Sequence, residues 1–324
     1  MLIGSCVGTF FALDRRTGKV RWSYDIGKDG DQSQFHGNPL VANDQVITGT
    51  DGSGIGHVYS FDIATGKVRW KYAITKGMPN GIGLPGDLVR LGENIFGVTF
   101  GDELVSLNAE SGKVNWTFAS GYSGTAFRWS QSPAASADRV FFGGINGIVY
   151  ALSAQSGSVV WKRDLGDRVS TNLTVTGNDL YAGTASGFIF RLNAKTGEVT
   201  GEMKLETIPV GWPTVAGDTL LVFLNRGGGA GGAQTLLSLD RALKQIRWQQ
   251  PASSNWSVTR PFLYRSTVLA GSEEGEVKAF RLSDGAEQWA TTLKGTIRSF
   301  GVHEEVLFIG TLGGTVYAYR PGKP

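Results

Sequence analysis

The sequence predicts an all-β fold, an eight-bladed β-propeller of four-stranded antiparallel blades. Three observations carry the prediction: a block that recurs eight times, a period-two alternation inside each copy, and turn residues between the short apolar runs. The block reads Phe11-Ala12-Leu13-Asp14, Tyr59-Ser60-Phe61-Asp62, Val105-Ser106-Leu107-Asn108 and Tyr150-Ala151-Leu152-Ser153 in the first half. It continues as Phe190-Arg191-Leu192-Asn193, Leu237-Ser238-Leu239-Asp240, Lys278-Ala279-Phe280-Arg281 and Tyr317-Ala318-Tyr319-Arg320, at spacings of 39 to 48 residues. Self-similarity at that period marks blades that pack face to face around a channel, because one blade cannot bury its own apolar faces. Alternation with period two is the pattern of strands rather than helices. Glycine supplies 47 of the 324 residues, about twice the usual share of roughly 7%, and it falls between the apolar runs rather than in a collagen period.

Each copy carries the same hairpin chemistry. In Asp14-Arg15-Arg16-Thr17-Gly18-Lys19 the carboxylate is placed to accept backbone N–H groups two and three residues on, and Gly18 takes the left-handed conformation that closes a bulged hairpin. Asp62 with Gly66 and Asn108 with Gly112 repeat the device. Four residues beyond the glycine position stands a tryptophan, at Trp22, Trp70, Trp116, Trp161, Trp248 and Trp289. An indole at a fixed place buries on the order of 200 Å², enough to glue a blade to its neighbour. The fifth copy has Gly201 in that place, and the sixth has Lys244 where glycine is expected. These two are the expected weak joints.

Six copies hold four strands each, whereas the first starts at its second strand and the last ends before its fourth, so the first and last blades are incomplete. A single domain spanning 1–324 is expected. Two further strands with their connections correspond to roughly 25 to 40 residues, which we expect to precede Met1. The stretch Leu2-Ile3-Gly4-Ser5-Cys6 loosely resembles a lipidation box, but a signal peptide needs a basic segment and about 7 to 15 apolar residues first. The same stretch aligns with Phe308-Ile309-Gly310-Thr311-Leu312, which makes Cys6 a hairpin-tip residue.

Composition narrows the function classes. A formal charge of +3 from 31 basic and 28 acidic residues, with the basic ones scattered, gives no nucleic-acid footprint. One cysteine excludes an internal disulfide. No apolar run approaches the roughly 20 residues of a membrane-spanning helix. A monomer is expected.

The regular tryptophans give the chain a resemblance to the PQQ-like propeller repeat family with its tryptophan-docking motif, over essentially the whole length. That family includes quinoprotein alcohol dehydrogenases and BamB-type outer-membrane assembly lipoproteins, both eight-bladed. The resemblance to the assembly branch implies a non-catalytic scaffold that binds protein partners, with no cofactor, in the periplasm or otherwise at the cell envelope. The dehydrogenase branch implies PQQ and calcium and the oxidation of an alcohol or sugar. An adjacent cysteine pair commonly covers the quinone there, and this chain has one cysteine. A ligand- or carbohydrate-binding sensor is a third reading.

The innermost strand opens each copy, so the residues at its start are expected at the channel mouth, where partners usually meet such folds. That selects His36 with Gln34, Asn80, Arg128 with Trp129, Asn172 with Thr171, Trp212, Trp256 with Asn255, and Arg298. Trp129, Trp212 and Trp256 lie outside the docking positions and suit either a stacking platform or channel packing. Arg128 and Arg298 suit a carboxylate clamp or a solvated charge. The histidines His36, His57 and His303 share no metal-ligand spacing. The run Gly227, Gly229 and Gly232 matches a dinucleotide pattern, but a strand follows it rather than the helix that would carry the phosphate, so it reads as a hairpin loop. No catalytic set and no metal site is read.

Overall fold

A computed structural model describes residues 1–30, 33–52, 55–75, 77–78, 81–124, 132–225, 233–256 and 260–320. The chain is an all-β, eight-bladed propeller, and among the described residues thirty of 34 strands make the blades. Six blades are antiparallel sheets of four strands in chain order, and the first (Leu2–Gly4, Thr9–Leu13, Val20–Asp25) and last (Ile297–His303, Val306–Thr311, Val316–Tyr319) have three. No helix among the described residues is long and apolar enough to cross a membrane. Residue contacts cluster into two compact units, one of 1–177 with 194–197 and one of 178–193 with 198–324.

The repeated hairpin forms as its chemistry requires. Asp14 Oδ1 accepts from Arg16 N (3.0 Å), Thr17 N (2.9 Å) and Thr17 Oγ1 (2.9 Å), and Asp62 and Asn108 do the same for their turns. The following glycine sits at φ +70° in Gly18, +74° in Gly66 and +68° in Gly112. The register shifts by one residue just before the turn in each blade, at Ala12/Leu13, Ser60/Phe61 and Ser106/Leu107. That bulge turns the tryptophan onto the next blade.

In the first unit Trp22 Nε1 donates to Ile63 O (3.0 Å), Trp70 to Ala109 O (3.1 Å), Trp116 to Ala154 O (3.2 Å) and Trp161 to Ala194 O (3.1 Å). In the second, Trp248 donates to Leu282 O (2.9 Å). Each of these five indoles packs against the glycine three residues after its acceptor. A Cβ on Gly66, Gly112, Gly157, Gly197 or Gly285 would fall 2.4 to 2.7 Å from indole carbons. Trp289 is 41% exposed and makes no indole hydrogen bond among the described residues.

The fifth blade, lacking the indole, is joined differently. The sixth blade's hairpin approaches so closely that a Cβ on Gly201 would lie 2.9 Å from Ala242 O. Tyr181, fully buried, donates its hydroxyl to Arg241 O at 3.0 Å, the carbonyl equivalent to Ile63 O in the repeat. Asp179 receives Arg191 Nε (2.9 Å) and Arg241 Nη2 (2.9 Å). The left-handed residue of this hairpin is Leu243 (φ +60°), one place earlier than the glycine of the other copies. The weak joint expected at Gly201 and Lys244 is thus a polar joint with its own donor.

Candidate functional site

The strands alternate in direction, so the loop entering each innermost strand and the hairpin between its second and third strands sit at the same end of a blade. In the first unit the residues entering four successive innermost strands bond to one another. Asn38 N and Nδ2 donate to Asp87 Oδ1 (2.7 and 3.1 Å), Asp87 N to Ser132 Oγ (2.7 Å), and Ser132 N to Asn172 Oδ1 (2.6 Å). Gly37 must be glycine here, because a Cβ would fall 2.4 Å from Gly86 O. Asn172 and Thr171 are buried in this belt. Asn172, a predicted contact residue, therefore spends its acceptor on the neighbouring strand. The sequence hid this because each bond spans 40 to 49 residues.

Three carboxylates order the loops of the same end. Asp51, whose side chain is 2% exposed, has both oxygens 2.8 Å from His36 Nδ1, and a carboxylate only accepts, so that nitrogen carries the hydrogen. Asp29 receives Tyr24 Oη (2.7 Å), Tyr59 Oη (3.1 Å) and Lys71 Nζ (2.9 Å). Burial opposes its ionisation, but those donors outweigh burial and hold the carboxyl below its ordinary value. Burial, with the Asp29 bond, pushes the Tyr24 phenol up to about 12. Buried Asp102 accepts the Ser120 hydroxyl and Ile145 N (3.3 Å), and Asn146 Nδ2 donates to Ser120 O (3.2 Å) and Tyr150 Oη (2.8 Å). A small sheet unforeseen in the sequence adds to this end, in the order Gly77–Met78, Gly81–Gly83, Asp51–Gly52, Ser33–Gln34. Strands of two residues carry too little alternation to be read.

In the second unit, Arg260 lies over the half-buried Trp212 ring at 5.6 Å. Trp256 is 1% exposed and packs edge to face on Phe280 within the apolar core shared by the sixth, seventh and eighth blades. Arg298 is exposed. Arg128, Trp129, Asn80 and the 226–232 glycine run lie outside the described residues. Among the described residues no group of three or more His, Cys, Asp and Glu is placed to hold a metal ion. Of the predicted polar positions, Asn172 thus joins the strand-to-strand lock and His36 bonds to one of the loop anchors. Exposed apolar side chains stand at hairpin tips instead, at Val7 and Ile55 in the first unit and Leu312 in the second.

A family model described as outer membrane protein assembly factor BamB matches residues 1–125 and 101–322. The BamB of Yersinia pestis is 24% identical over 169 residues, covering 48% of this chain and 42% of that protein. That of Burkholderia pseudomallei is 27% identical over 186 residues, covering 54% and 45%. The matched region spans less than half the length of these two relatives. The crystal structure of BamB from Moraxella catarrhalis superimposes with a TM-score of 0.78 at 18% identity, covering 99% of this chain and 93% of that one. Quinohemoprotein alcohol dehydrogenase from Comamonas testosteroni reaches 0.72 at 14% identity, covering 95% and 68%. At such identities the superpositions speak for the fold alone. The family match extends over nearly the whole chain, which therefore belongs to the outer membrane protein assembly factor BamB family.

Proposed function

We propose that the chain is a non-catalytic scaffold that holds protein partners during outer-membrane protein assembly, acting as one monomeric domain at the cell envelope. The observation that carries this reading is the family match over 1–125 and 101–322. The geometry is consistent with it: the polar groups entering the innermost strands of the first unit are engaged with one another, whereas apolar side chains stand exposed at loop tips. Docking then falls to rim loops and to free strand edges, which add a partner strand through backbone hydrogen bonds.

Chemical crosslinking of the tagged chain in envelope extract, followed by identification of the captured proteins, tests the reading. Barrel-assembly components recovered reproducibly support it, and their reproducible absence overturns it. Dye reduction by the purified chain supplied with PQQ and calcium would overturn the non-catalytic part. Carbohydrate arrays address the sensor reading in the same way.

A further inference from the structure

The repeat supplies its own controls for judging the outer edges of the blades. Seven blades have an outermost strand, and its second residue is polar in six of them: Arg21, Arg69, Asn115, Thr200, Arg247 and Gln288. Several of these side chains are tied back into their own blade. Arg69 Nη1 and Nη2 reach Asp44 (2.9 and 2.6 Å), Arg247 reaches Asp218 (3.0 and 2.6 Å), and Asn115 Nδ2 reaches Asn94 Oδ1 (3.0 Å). Charged and polar side chains at a free edge discourage pairing with another chain. The fourth blade breaks the pattern with Val160.

The consequences are visible around it. Val159 and Val160 are 45% and 47% exposed, side by side on the strand Val159–Asp164, which pairs on one side only, with Ile148–Ser153. Asp138, the counterpart of Asp44 and Asp218, receives no arginine from its own outer strand among the described residues and instead lies 3.6 Å from Arg139 Nε. Arg139 Nη1 donates to Ala194 O (3.1 Å) and Lys195 O (2.7 Å) of the next hairpin. Trp161 and Arg163 face that hairpin, donating to Ala194 O and Gly197 O. Val160 and Lys162 face the other way, and Lys162 has no ion pair among the described residues.

Resting on the scaffold reading above, we propose that the free edge of Val159–Asp164 captures an extended polypeptide segment by strand addition. The segment it fits carries an apolar residue opposite Val160 and a carboxylate two positions away, beside Lys162. Residues two apart in a strand share a face, so one peptide strand presents both.

The probe is a labelled ten-residue peptide with valine and glutamate alternating on one face and threonine on the other. Its binding to the purified full chain is followed by fluorescence anisotropy at low salt and by amide hydrogen exchange. Binding should protect amides of residues 159–164. Val160→Arg should weaken it at least tenfold, and that variant should fold, because Asp138 stands where Asp44 and Asp218 accept an arginine. Lys162→Glu should shift preference to a peptide with lysine in place of glutamate, and Thr200→Arg should change nothing. Absence of binding, protection confined to other strands, or undiminished binding by Val160→Arg overturns the proposal. The purified chain and peptide need no envelope component, so a failure here with barrel-assembly components still captured sinks the edge alone. The converse result sinks the assembly reading.

Discussion

Replacing Gly112 by alanine separates two costs that the repeat normally presents together. At φ +68° an L-residue pays roughly 1 to 2 kcal/mol for the left-handed backbone. The new Cβ would also lie 2.4 Å from Trp70 Cε3 and 2.5 Å from Cδ2, so the indole must lift off its seat, an overpacking cost of about 1 to 3 kcal/mol. Gly18→Ala is the matched control: φ is +70°, but nothing lies within 4 Å of its Cβ position. Gly112→Ala should therefore lose roughly 2 to 5 kcal/mol and Gly18→Ala roughly 1 to 2. Urea titrations at 25 °C, followed by tryptophan fluorescence and by far-ultraviolet circular dichroism, measure both. The decisive comparison is a double-mutant cycle, in which Gly112→Ala made on Trp70→Ala should fall to the control's cost. Equal losses at positions 18 and 112 in the parent, or strict additivity with Trp70→Ala, would refute the idea that glycine is there to seat the indole.

Trp70→Ala alone should cost about 3 to 5 kcal/mol as a large-to-small core change, and a thermal transition matching the parent's would contradict the inter-blade role. Tyr181→Phe should cost about 1 to 3 kcal/mol by leaving the Arg241 carbonyl without its buried donor; a neutral result in urea unfolding would mean the fifth and sixth blades are joined by something else. Ala137→Gly, at φ +56° in the first turn of the fourth blade, should stabilise by about 1 kcal/mol once the left-handed strain is relieved, and a lower denaturation midpoint would count against it. Arg69 bonds hold the Asp62 and Asp44 carboxyls below their ordinary value of 3.8. A carboxyl lowered in the folded state adds stability above its unfolded value, and loses it as pH falls through the folded one. Arg69→Gln should therefore flatten the acid limb of the stability curve below about pH 4, and parallel acid limbs for variant and parent would exclude this source.

What was legible in the sequence follows the range of the interactions. The hairpin from Asp14 to Trp22 is built from bonds two to four residues apart and one glycine, so its chemistry is spelled out locally and repeats intact in Asp62–Trp70 and Asn108–Trp116. The inner belt was not legible, because Asn38, Asp87, Ser132 and Asn172 meet only after each blade has closed. His36 was selected for the right place but not for its partner, since Asp51 comes from the far side of a hairpin. Trp256 was picked out by falling outside the docking register. Its burial against Phe280 depends on the long outer strand Ile246–Trp256 of the sixth blade, which no local signal announces.

The joint between the fifth and sixth blades explains how a repeat tolerates loss of its defining residue. The constant element is the acceptor, the carbonyl two residues after the block's leucine or phenylalanine: Ile63, Ala109, Ala154, Ala194 and Leu282 where an indole arrives, Arg241 where it does not. A buried carbonyl left without a donor costs about 1 to 3 kcal/mol, so removing the tryptophan demands another donor. Tyr181 supplies it from the second strand, from within the core of its own blade. The arginine then becomes useful at a position that is apolar in all five docked hairpins, because an indole no longer covers it and Asp179 can hold it. Gly201 completes the exchange, since its missing side chain is what lets Ala242 O come so close. Restoring tryptophan at position 201 should accordingly destabilise the protein, although it rebuilds the consensus, because the hairpin now occupies the space an indole needs.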